Sequence, residues 1–157
     1  MEIKTQNIIT DWLNKAKSDY IALYISKGLK ASGKVGKETR VEITPNGGEI
    51  WTPRYVGALL YGRSPNKDQS PEALRKWVGW AGSTFLAEWV KNKRINANPF
   101  QVAWGVARKG TDVPNTYNDG LLYSDTFTPA RFNELYKALR AELIIEIKQQ
   151  TKETWLR

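Results

Sequence analysis

One punctuation device recurs in this chain: a residue with a side-chain oxygen followed by proline, at Thr52-Pro53, Ser70-Pro71, Asn98-Pro99 and Thr128-Pro129. The oxygen can accept from the free amides of a first helical turn, and proline fits that turn because its missing N–H has no partner there anyway. The device therefore predicts four helix starts. The first helix is short and ends near Tyr61 at Gly62. The second runs from Pro71 past Leu74, Trp77 and Val78, loosens at Gly79 and Gly82, and resumes through Phe85, Leu86, Trp89 and Val90. The third carries Phe100, Ala103, Trp104 and Ala107 on one face and ends at Gly110, placed as a C-terminal glycine cap. The fourth runs from Pro129 toward Thr151 with Phe132, Leu135, Tyr136, Leu139, Leu143 and Ile147 on an apolar stripe.

Upstream, Ile9, Trp12, Leu13, Ala16, Tyr20, Leu23 and Tyr24 recur at helical spacing, which predicts a helix from about Thr10 to Leu29, the longest in the chain. Gly28, Ser32, Gly33 and Gly36, interleaved with Lys30, Lys34 and Lys37, read as a flexible basic connection. Two short segments of period 2, Thr39–Thr44 and Glu49–Thr52, flank Pro45-Asn46-Gly47-Gly48 and predict an antiparallel hairpin with Val41, Ile43 and Trp51 toward the core. A hairpin alone is marginal in water, so it must lie on a helix, add further strands or complete a sheet with a neighbour. Residues 111–127 form a long loop. Pro114, Asn115, Asn118, Asp119 and Gly120 argue against regular structure there, whereas Tyr117, Leu121, Leu122, Tyr123 and Phe127 are too apolar for a plain linker. Such a loop is expected to be mobile in a free subunit and to dock on a neighbour. The fold class that results is α+β: a long N-terminal helix, a small antiparallel sheet, several short helices and a C-terminal helix around a tryptophan-rich core, as one domain over residues 1–157.

The 157 residues include no cysteine and no histidine, which removes thiolate and imidazole metal sites, cysteine nucleophiles and histidine acid–base pairs. No convergent cluster of acids replaces them. Glu42 and Glu49 sit across the hairpin, as paired acids do on many solvated sheets. No enzyme and no cofactor or metal is expected. The N-terminal residues lack a basic-then-apolar signal, and no apolar run is long enough for a membrane span, so a cytoplasmic site of synthesis is expected. Net charge is +8, with 18 basic and 9 acidic residues before Gly110 and 6 and 7 from there on. That excess suits DNA, an acidic protein partner, or simply solubility. Lys91, Lys93, Arg94, Arg108 and Lys109 are its densest part.

The central stretch holds three short motifs: Tyr61-Gly62-Arg63-Ser64-Pro65, Trp89 to Ile95, and Val106-Ala107-Arg108-Lys109-Gly110-Thr111. In this order, after an N-terminal helix and over about half of the chain, they resemble the tail-completion or head–tail joining proteins among the minor structural proteins of tailed bacteriophages. The resemblance implies a ring subunit in the neck or upper tail of the virion, with neck, tail-completion and tail-hub positions left open. It implies partners in further copies of the chain and in neighbouring portal, neck or tail proteins. Gly62, Arg63 and Pro65 would then shape one subunit-contact loop, and Gly110 and Thr111 would begin another that continues through Tyr117, Leu121 and Tyr123. Lys91, Lys93, Arg94, Arg108 and Lys109 would meet acidic protein or DNA in transit. A sequence-independent nucleic-acid-binding protein is the competing reading.

Overall fold

A computed structural model describes residues 3–29 and 33–155; Lys30 and Ser32 of the basic connection lie outside the described residues. In chain order the elements are α1 (Ile3–Ser26), α2 (Lys34–Glu38), β1 (Arg40–Thr44), β2 (Gly47–Trp51), α3 (Val56–Tyr61), α4 (Pro71–Ser83), α5 (Phe85–Asn92), α6 (Pro99–Lys109), α7 (Leu122–Thr126) and α8 (Pro129–Trp155). The class is α+β, with one two-stranded antiparallel sheet.

Three of the four punctuated helix starts form as expected. Ser70 Oγ accepts from the Ala73 amide, Asn98 Oδ1 from Phe100, and Thr128 Oγ1 from Arg131. Thr52-Pro53 is displaced by one turn: Pro53 O accepts from Val56 N, and α3 begins only after Tyr55. The second helix breaks at Thr84, whose backbone (φ −117°, ψ −113°) is neither helical nor extended and separates α4 from α5. Helix α1 starts at Ile3, well before Thr10, because α8 runs antiparallel beside it: Lys4 reaches Glu142 at one end and Asp19 pairs with Arg131 at the other. With 27 residues, α8 is longer than α1, against the expected order.

Buried side chains form two clusters. Tyr20, Tyr24, Leu29, Val35, Val56 and Leu122 make the first, and Leu74, Val78, Ala81, Leu86, Ala103 and Ala107 the second. The expected tryptophan core is corrected here. Trp12, Trp77, Trp89 and Trp104 are only half-buried and ring these clusters, while Trp51 and Trp80 are exposed. Indole is too large to fit between helices that approach as closely as α4 and α6, where Ala81, Ala103 and Ala107 have no exposed surface.

The hairpin pairs Val41 with Ile50 and Ile43 with Gly48 around a two-residue turn at Pro45-Asn46. Its Val41/Ile43/Gly48/Ile50 face lies on α1, close enough that a Cβ at Gly48 would overlap Leu13. Trp51 therefore does not face the core; it pairs with Arg40, whose guanidinium lies 5.7 Å from the indole centroid. Glu42 and Glu49 do face each other across the strands, both exposed, with Glu42 ion-paired to Arg40 at 2.6 Å. The connection after Gly33 is not wholly irregular either. Val35 has no exposed surface, and its burial in the first cluster holds α2 despite Gly36.

Residues 111–127 also differ from expectation. They contain α7, whose Leu122 is fully buried in the first cluster beside Tyr20 and Tyr24, so the segment docks on its own chain. One buried leucine and the partnered polar side chains described below supply what composition alone did not disclose.

Candidate functional site

The motifs that stand apart in sequence meet in one joint. Helices α3 and α6 end alike, Gly62 N donating to Ala58 O and Gly110 N to Val106 O, and both chains leave in an extended conformation. The outgoing residues then pair antiparallel: Arg63 N donates to Thr111 O and Thr111 N to Arg63 O, each at 2.8 Å. Gly62 and Gly110 have φ of 81° and 78° with ψ of −176° and −161°, a region open essentially to glycine. Gly110 caps the end of α6 as expected, and its extended ψ directs the chain into the bridge.

Arg63 fills the joint. Its Nη1 donates to Val106 O at 3.1 Å, its Nη2 donates to Asn66 Oδ1, and its guanidinium carbon lies 4.5 Å from the Trp77 ring centroid. Asn66 N and Gln69 Nε2 both donate to Ala107 O, at 2.8 and 3.1 Å. The last carbonyls of α6 are satisfied by this loop, and the guanidinium complements the negative end of the helix dipole. Partial burial pulls the Arg63 pKa below its ordinary value. The loop of Gly62, Arg63 and Pro65 and the segment at Gly110 and Thr111 are therefore joined to each other within the chain, with Pro65 exposed.

A second junction holds the loop. Lys93 Nζ donates to Lys27 O at the end of α1 and to Tyr117 O, both at 3.0 Å. Lys27 Nζ pairs with Asp119 at 2.6 Å and Asp125 at 2.8 Å, Asn118 Nδ2 donates to Leu59 O, and Tyr117 packs edge-on against Trp89 with centroids 5.4 Å apart. Lys93 is therefore engaged within the chain, and desolvation lowers its pKa. Tyr117, Leu121 and Tyr123 keep roughly half of their surface exposed. The basic residues do not form one cluster: Lys91 and Arg94 lie at the turn before α6, and Arg108 and Lys109 at its far end, about 15 Å away. All four are exposed, Arg108 with its guanidinium 5.0 Å from the Trp104 centroid.

The Lys27 clasp carries a pH signature. Hydrogen bonding to Lys27 holds Asp119 below its ordinary carboxylate value, and the two carboxylates raise Lys27. Stability from Asp119 is present above the unfolded carboxylate pKa of about 4 and is lost as pH falls through the lower folded value. Stability from Lys27 is present below about pH 10.4 and is lost as pH rises through the raised value. Amide exchange at 115–125, normalised for intrinsic rates, should accelerate at both extremes before the α4–α6 amides respond. The Lys27→Met variant should lack the alkaline transition and show a smaller acid one, since the Leu121 amide still donates to Asp119.

Two further surfaces were not legible as sites. On the α4–α6 pair, Trp80 and Phe100 are exposed, Trp80 packing edge-on with Trp77 and Phe85. Along α8, Phe132, Tyr136, Leu143, Ile144, Ile145 and Ile147 are all exposed. The apolar stripe was visible as periodicity, but periodicity does not say whether a stripe is covered. Among the described residues no group of three or more Asp or Glu side chains is placed to hold a metal ion, and no helix is long and apolar enough to cross a membrane. Compared with known proteins, the chain matches no family model, no curated protein and no solved structure.

Proposed function

We propose that this chain is a non-enzymatic virion protein, a subunit of a homo-oligomeric ring in the neck or upper tail of a tailed bacteriophage, acting in tail completion or head–tail joining. The observation that carries the reading is the convergence of the motifs behind the resemblance. Gly62-Arg63 and Gly110-Thr111, 48 residues apart, pair directly, and Trp89 packs on the loop that follows Thr111. The contacts to other subunits then fall to exposed side chains, because Arg63 and Lys93 are engaged internally: Trp80 and Phe100 on α4 and α6, and Tyr117, Leu121 and Tyr123 in the segment 111–127. Exposed aromatics of this kind favour assembly.

The second reading, sequence-independent nucleic-acid binding, draws on the exposed Lys91, Arg94, Arg108 and Lys109. Four phosphate contacts at most would give a log–log salt slope no steeper than about −3.6 on duplex DNA, and Arg108→Ala would reduce it by about 0.9. Fluorescence titration of random duplex at several salt concentrations measures this. Under the ring reading, binding is weak and vanishes by physiological salt. A mass-spectrometric inventory of washed tailed particles tests the ring reading itself: several copies of the chain per particle are expected, and its absence overturns the proposal.

A further inference from the structure

The exposed apolar residues of α8 have an order of their own. Phe132, Tyr136, Leu139, Leu143 and Ile147 follow at intervals of 4, 3, 4 and 4, one continuous stripe on a helix. It lies beside the face that packs on α1, which carries Arg131, Leu135 and Glu142. Phe132, Tyr136, Leu143 and Ile147 are 47, 63, 55 and 53% exposed, while Leu139 is half-buried and Phe132 also packs on Trp12, with ring centroids 5.4 Å apart. The helix also overshoots its neighbour. Since Lys4 stands opposite Glu142, α8 continues past the described start of α1 at Ile3, with Glu146 still half-buried and its Oε1 shielded from solvent. That overhang, to Trp155, is about 18 Å. Ile144 and Ile145 add apolar surface on its other sides. A helix apolar on several sides belongs inside a packed assembly.

The stripe is also symmetric about its own centre. Phe132 stands as far before the midpoint of Leu139 and Arg140 as Ile147 stands after it, and Tyr136 and Leu143 do the same. We infer that a second copy of this chain covers the stripe, α8 lying antiparallel on α8 about a twofold axis between Leu139 and Arg140. In that arrangement Phe132 meets Ile147 of the other copy, Tyr136 meets Leu143, and the overhang of each copy lies along the first turns of the other's α8. Rigid antiparallel helices that bury one overhang necessarily bury the other, which is the isologous contact of a closed dimer. The Arg140 stems flank the axis with their guanidinium groups in water. The size of the surface sets the strength. Phe132 and Tyr136 offer about 100 Å² each, and the whole stripe supplies roughly half of the ~800 Å² per partner of a standard interface. The pair is therefore weak and concentration-dependent.

This inference does not rest on the virion reading. A twofold pair closes on itself, so a ring needs a separate heterologous contact, and either proposal can fail while the other stands. The test uses the full chain, which has no native cysteine to remove. Light scattering from about 10 to 500 μM should show monomer passing to dimer, and Tyr136→Glu or Leu143→Glu should weaken the pair at least tenfold with an unchanged far-ultraviolet spectrum. Nitroxides placed through Arg140→Cys and, separately, Gln149→Cys then fix the orientation by dipolar spectroscopy. The label at 140 lies close to its twin, and the label at 149 lies about 28 Å from its twin along the axis. A chain that stays monomeric at 500 μM, charge substitutions that leave the dimer intact, or equally short distances at both labels would each overturn the inference.

Discussion

Alanine in place of Gly110 is expected to cost the chain about 3 to 5 kcal/mol, near the upper end of what single substitutions do. The backbone at 110 occupies a region that costs other residues about 1 to 3 kcal/mol. A Cβ there would also lie closer to Arg63 O than the 3.0 Å that real Cβ atoms essentially never breach, and backbone cannot swing aside as a side chain does. Gly62 meets the same limit against Thr111 O, so Gly62→Ala should behave alike. Helical glycines supply the contrast. Gly79 in α4 and Gly105 in α6 have open space around the absent Cβ, and alanine there should stabilise by about 0.5 to 1 kcal/mol. Denaturant unfolding of the four variants measures this. A loss under about 1 kcal/mol at both Gly62 and Gly110 would mean that the joint is not rigid.

The second large effect is expected at Arg63, where alanine removes two hydrogen bonds from a charged donor, the stack on Trp77 and the cation at the end of α6. Hydrogen bonds to charged groups contribute about 1.5 to 3 kcal/mol each, but Arg63 is only half-buried, so a total near 3 kcal/mol is expected. Lysine should not rescue it, because a single ammonium cannot donate to Val106 O and Asn66 Oδ1 with the same planar geometry and stack on indole. A double-mutant cycle with Trp77→Leu should return a coupling of about 1 kcal/mol. Additive losses would separate the guanidinium from the ring. Since Asn66 and Gln69 also cover Ala107 O, the amides of the last turn of α6 should exchange faster in Arg63→Ala while α1 amides keep their protection.

Why the sequence disclosed some of this and not the rest follows from the range of each interaction. Ser70, Asn98 and Thr128 act on amides two or three residues away, so their helices were readable from the local text. The hairpin and the stripe of Leu13, Ala16, Tyr20 and Tyr24 are periodic signals of the same kind. Arg63 was singled out, but its role was not, because its partners Trp77 and Val106 lie far along the chain and a Gly-Arg turn looks the same at an interface as in a joint. The same holds for Lys93, which reads as one of a basic trio yet donates to Lys27 O and Tyr117 O. Leu122 and Val35 each anchor a short helix by complete burial, a property that composition cannot assign to one residue among several apolar neighbours.

The joint and the clasp give the chain a rigid framework with exposed aromatic side chains, and the proposal built on it is that the chain works as part of a ring. Electron cryomicroscopy of tailed particles assembled with and without this chain tests that claim most directly. The account predicts a closed ring of density at the portal–tail junction into which α4 and α6 fit with Trp80 and Phe100 against a neighbouring subunit, and which is missing when the chain is absent. Particles whose portal–tail junction is identical in the two preparations would contradict it.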